Sequence, residues 1–101
     1  MPAITGTSSN ITNINTNTTL TIASPHIVFC DASTGGFTVT LPSALSCCGK
    51  SFIIKKIDLT MNTVTIDPYL SQTIDGSLVY YMGTSMQSIE VVSNGTSWYI
   101  I

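Results

Sequence analysis

The sequence predicts an all-β domain, antiparallel and β-sandwich-like or intertwined with neighbouring chains. Three observations carry that expectation. Thr, Ile and Val are abundant, and β-branched residues suit a pleated, half-buried surface. From Leu20 onward, short apolar runs are broken by turn residues roughly every 8–12 positions, the rhythm of short strands. No segment carries a 3.6-residue apolar stripe over two turns.

Residues 1–19, "MPAITGTSSNITNINTNTT", are polar and repetitive, with Ile4, Ile11 and Ile14 as the substantial apolar side chains. They read as a lead-in from a longer protein that orders only along a neighbour. The β-rich domain spans 20–101. Leu20–Ile22 and His26–Cys30 flank a break at Ser24-Pro25. Phe37–Leu41 alternates, with Phe37, Val39 and Leu41 on one face and Thr38 and Thr40 on the other. Pro42 ends it, because proline donates nothing to a sheet ladder. Phe52–Ile57 comes next, then Thr63–Ile66, stopped by Asp67-Pro68. Gln72–Ile74 leads through Asp75-Gly76, a tight-turn pair, into Leu78–Met82. Ser88–Val92 and Ser97–Ile101 are joined around Asn94-Gly95, the strongest hairpin signal in the chain.

Two of these runs are apolar on both faces. Phe52 and Ile54 oppose Ile53 and Ile57; Trp98 and Ile100 oppose Tyr99 and Ile101. Strands apolar on both faces are covered on both faces, and a lone two-layer domain covers only one. The charge content points the same way. Only 8% of the 101 residues are charged, while 44% are hydrophobic; an ordinary domain carries about a quarter charged residues. Ser, Thr and Asn, about a third of the chain, take the place of the charges. Part of the surface is therefore expected to lie against neighbouring subunits, with Ile100 as an interface candidate.

The same composition excludes other partners. The net charge is −2, there is no arginine, and Lys50, Lys55 and Lys56 are the only lysines. No basic face is available to displace counterions from a nucleic-acid backbone. No apolar run approaches the roughly 20 residues of a membrane helix, and the N-terminus lacks the charged and apolar regions of a signal peptide. Cys30, Cys47 and Cys48 are odd in number, and adjacent cysteines strain a mutual bridge. Three free thiols in a protein made in a reducing compartment are expected. The sequons at Asn10, Asn17 and Asn94 are then products of an Asn/Thr-rich composition.

Residues 44–51, "ALSCCGKS", lie one residue from the phosphate-loop pattern Gly-x-x-x-x-Gly-Lys-[Ser/Thr]. Such a loop needs a helix N-terminus behind it. Ser51 is succeeded by "FIIKKID", a strand pattern, so the stretch reads as a connection between strands. His26 is the single histidine, which leaves no choice of base for a nucleophile relay. Three copies meeting on a symmetry axis are the arrangement in which it would bind a metal. Asp31, Asp58, Asp67 and Asp75 stand where carboxylates cap turn N–H groups. No residue reads as catalytic, and neither a cofactor nor a metal is expected. Tyr69, Tyr80 and Tyr81 are the candidate aromatics for contact with a ligand, a sugar ring above all.

The ordered set "FTVTLPSA", "GKSFIIKKID", "NTVTIDP", "QTIDG" and "QSIEVVSNGTSWYII" resembles the C-terminal β-rich domains of phage tail fibres and of fibre proteins of large DNA viruses. The likeness covers about residues 27–101. It implies an intertwined homotrimer at a fibre tip on the virion surface, placed after a shaft region, non-enzymatic, and serving trimerisation and attachment to a host glycan or protein receptor. The shared residues are framework, so the resemblance carries over no binding site. "SCCGK" departs from the pattern. The alternative expectation is a carbohydrate-binding β-sandwich module.

Overall fold

Alternating apolar and polar residues set nine short strands in a computed structural model that describes residues 10–101. They are β1 (Ile11–Ile14), β2 (Thr18–Thr19), β3 (Ile27–Cys30), β4 (Phe37–Thr40), β5 (Ser51–Lys56), β6 (Val64–Asp67), β7 (Tyr80–Met82), β8 (Ser88–Ser93) and β9 (Trp98–Ile100). A single 3-10 turn, Ala44–Ser46, lies between β4 and β5. The protein is all-β. The first nine residues of the polar lead-in fall outside the described residues. From Ile11 on, that lead-in is part of the sheets.

The strands form two sheets. Sheet one has the order β9-β8-β5-β3-β1 and sheet two the order β2-β4-β6-β7. Through β6 the chain alternates between them, so each strand in a sheet runs parallel to the one before it. Ile11, Ile27 and Ile53 align across β1, β3 and β5, and Phe37 aligns with Val64 across β4 and β6. This corrects the antiparallel expectation. A chain that crosses to the opposite sheet and returns completes a coil, and successive coils stack in parallel. Only the last third, where Asn94-Gly95 lies, reverses direction: β7 on β6, β8 on β5 and β9 on β8 are antiparallel.

The core fills the space between the sheets. Val28, Cys30, Phe52, Ile54, Val91 and Trp98 of sheet one meet Val39, Val64, Ile66 and Met82 of sheet two, all buried. Trp98 is tied at both ends. Its ring lies 5.8 Å from that of Phe52, and its indole Nε1 donates to the Pro42 carbonyl at 3.1 Å. Buried indoles need such a partner. The hairpin ahead of it is made by Asn94, whose Oδ1 accepts from the N–H groups of Thr96 and Ser97. Gly95 supplies the required φ of 96°.

The Asp75-Gly76 pair forms a turn closed by mutual hydrogen bonds between Ile74 and Ser77, with both central residues at positive φ. It joins no ladder strands. Instead it docks sideways on β9, where Asp75 Oδ1 accepts from the Ile100 N–H at 2.9 Å. Leu20–Ile22 is likewise no strand: β2 ends at Thr19. Its backbone turns, with the Ser24 N–H donating to the Thr21 carbonyl.

Candidate functional site

The residues singled out by sequence do not converge. Tyr80 and Tyr81 are neighbours in β7 and so face opposite ways: Tyr80 packs against the core and its hydroxyl accepts from Gln87 Nε2. Tyr81 lies on the outer face of sheet two opposite Thr65 and is exposed. Tyr69 sits in the loop after β6, partly exposed. His26 Nδ1 lies 3.0 Å from the Ser51 carbonyl, which makes that nitrogen the donor. Among the described residues no three His, Cys, Asp or Glu side chains gather as a metal site. No helix of the described residues is long and apolar enough to cross a membrane.

The phosphate-loop look-alike has a framework role. Ser51 opens strand β5 rather than a helix. Gly49 makes the turn at φ 84°. The Lys50 ammonium donates to the Ser24 carbonyl at 2.9 Å and stands 5.0 Å from the centre of the Phe52 ring. The lysine thereby ties the loop before β3 to the start of β5.

A second lysine is wholly buried. Lys56, inward-facing in β5, is 0% exposed and meets Asp58 at 2.8 Å. It also donates to the Thr60 carbonyl. Asp58 is saturated: Oδ1 accepts from the Ala32 N–H at 2.8 Å, and Oδ2 accepts from the N–H and hydroxyl of Thr60. Burial pushes the Asp58 carboxyl up, but the donors from Lys56, Thr60 and Ala32 outweigh it and hold it well below the usual carboxylate range. Beside this pair, burial first and the Asp58 charge second raise the Cys30 thiol to about 12. A carboxylate held ionised by four donors is a poor general acid. The network is a lock between the loops after β3 and β5, extended by Asn62 Nδ2 donating to the Ala32 carbonyl at 2.8 Å. Cys30 and Cys47 are buried, Cys48 is exposed, and all three are unbridged.

One cavity, of about 220 Å³, opens where β1, β3 and β5 end, lined by Asn13, Ile14, Asn15, Asp31 and Ile57. Two amides and a carboxylate over an aliphatic floor suit a small hydroxyl-bearing ligand.

The largest chemical contrast on the molecule lies between the outer faces of the two sheets. On sheet two, Thr19, Thr40 and Asp67 form one row and Thr38, Thr65 and Tyr81 the next. On sheet one, the first row runs Ile11, Ile27, Ile53, Glu90 and then Ile101, whose N–H donates to the Glu90 carbonyl. Beside it lie Asn13, Phe29, Lys55 and Ser88, and on its other side Ser51, Val92 and Tyr99. Ile53, Tyr99 and Ile101 are legible in the sequence as outward-facing. Ile11, Ile27, Phe29 and Val92 are not, because their alignment depends on parallel registers between strands far apart in the chain. Ile100 is not on this face; it packs against the core. No family model matches the chain, and no curated protein matches it.

Proposed function

We propose that this chain is the tip module of a viral fibre, a non-enzymatic domain that holds three chains together and attaches the virion to a host surface. The observation that supports this reading is the polarity of the stack. Coils rise in parallel from β1 and β2, whose outer edges pair with no described strand, to an end closed by antiparallel β7, β8 and β9. An open first coil suits continuation from a preceding shaft. Reversed strands at the far end suit a terminus, because a reversed strand offers the stack no further parallel coil.

The scarcity of charge and the apolar outer face of sheet one support a homotrimer, since neighbouring copies would cover what water otherwise wets. Native mass spectrometry is the test. A species at three times the 10.8 kDa chain mass is expected, and a folded single chain as the sole species would refute the reading. The cavity at Asn13, Asn15 and Asp31 favours, as a second reading, a carbohydrate-binding module. Screening the assembled protein on a glycan array tests this second reading, which requires hits and is refuted by their absence.

A further inference from the structure

We infer that the outer face of sheet one is the surface through which copies of this chain associate, with the row Ile11, Ile27, Ile53 and Ile101 at its centre. The inference rests on the homotrimer reading and names the surface that reading leaves open.

The two outer faces differ in a way that gives the assignment its direction. An antiparallel or mixed sheet that faces water carries polar residues there, as sheet two does with its threonines. Sheet one carries Ile, Phe, Val or Tyr on each of its five strands, with Asn13, Ser51, Lys55, Ser88 and Glu90 between them. Ile11 and Tyr99 are each 44% exposed and Ile101 is 74% exposed, while Ile27, Phe29, Ile53 and Val92 are half-buried. At about 4.8 Å between strands and about 6.6 Å between rows, five strands and three rows make a projected area of roughly 400 Å². Seven of the twelve side chains on that area are apolar (Ile11, Ile27, Phe29, Ile53, Val92, Tyr99 and Ile101), so its apolar part is roughly 230 Å². It is less than the about 800 Å² per partner of a standard interface, so the face supplies the centre of the contact and the flanking loops its rim.

The charges on the face identify the occupant as a second copy. It bears one cation, Lys55, and one anion, Glu90, on adjacent strands and adjacent rows. They do not pair with each other: Lys56–Asp58 is the one ion pair among the described residues. The Lys55 ammonium turns to the Met86 carbonyl at 2.8 Å, and the Glu90 carboxylate stands between Ile53 and Ile101. An apolar surface with a single carboxylate and a single ammonium is complementary to itself. Around a three-fold axis each copy turns this face toward two others, so that isoleucine meets isoleucine and the Lys55 of one copy lies toward the Glu90 of the next. A glycan would find only scattered polar groups, Asn13, Ser51, Ser88 and Glu90, around an aliphatic row, and a basic partner would meet Lys55.

The experiment compares the wild type with Phe29→Thr/Ile53→Thr, which places a β-branched, strand-favouring residue at both positions, and with Tyr81→Thr on the outer face of sheet two. Light scattering should give three chain masses for the wild type and for Tyr81→Thr. The double variant should dissociate at least a hundredfold more readily than the wild type, with its β circular dichroism lost over the same range of protein concentration. A wild-type trimer with an equally stable trimer in the double variant overturns the face assignment and leaves the fibre-tip reading standing. A monomeric wild type overturns both. If the double variant aggregates, zero-length carbodiimide coupling of a mixture of isotopically light and heavy wild-type chains decides. A mixed-isotope Lys55–Glu90 peptide supports the assignment, and its absence overturns it.

Discussion

Replacing Lys56 with Met isolates what the buried lock contributes. The aliphatic stem keeps its place between the sheets, but the ammonium that faces Asp58 at 2.8 Å is lost. Removing one member of a buried pair costs about 3–5 kcal/mol, because the other is left charged in a poor solvent. Here Asp58 retains the Ala32 N–H and the N–H and hydroxyl of Thr60. The low end, about 3 kcal/mol, is therefore expected. That is a large part of the about 5–15 kcal/mol of a typical domain. Urea unfolding at pH 7 measures it, with protomer concentration matched because assembly is linked to folding. With a slope of about 1–3 kcal/mol/M, the midpoint should fall by about 1–3 M. Lys56→Met/Asp58→Asn removes the stranded charge and should regain at least about 1 kcal/mol over the single variant. A loss below about 1 kcal/mol, or a double variant no more stable than the single one, would refute the reasoning.

The same structure has other testable consequences. Asp58 is held below the ordinary carboxylate range when folded, so the unfolded chain takes up the proton first. The stability it contributes is complete above about pH 4 and is lost as pH falls through the folded value. Acid unfolding should show this loss, and Asp58→Asn should flatten it. Cys48 is exposed whereas Cys30 and Cys47 are buried, with the Cys30 thiol raised to about 12. One thiol per chain should alkylate rapidly at pH 8 and two only on unfolding; three fast thiols would contradict the packing. Gly36→Ala should destabilise by at least about 1–3 kcal/mol, since its Cβ would strike the Thr63 carbonyl oxygen, as read by thermal melts. Leu70 is exposed with φ 50°, so Leu70→Asn should raise stability by about 0.5–1 kcal/mol; a clear loss would mean that the leucine packs against something.

What the sequence made legible was local. Alternation in Phe37–Leu41 and in Phe52–Ile57 located strands and assigned their faces, and Asn94-Gly95 located the hairpin of β8 and β9. Parallel pairing was not legible, because nothing in a strand states which partner it meets 16 or 26 residues away, as Ile27 meets Ile11 and Ile53. The contribution of β1 was hidden for the same reason. Its isoleucines look sparse in sequence, yet Ile14 packs against the core and Ile11 extends the outer row. The buried ion pair was hidden because Lys56 comes directly after another lysine and looks like half of a solvated pair. Period two in β5 sends Lys55 outward and Lys56 inward. The same period sends Tyr80 to the core and Tyr81 to the outer face of sheet two.

Sedimentation equilibrium over a dilution series, from micromolar to nanomolar protomer, bears most directly on the central claim. An obligate homotrimer requires one species at three times 10.8 kDa, unchanged on dilution, with loss of β structure coinciding with any dissociation. A well-folded species of single-chain mass at micromolar concentration would contradict it.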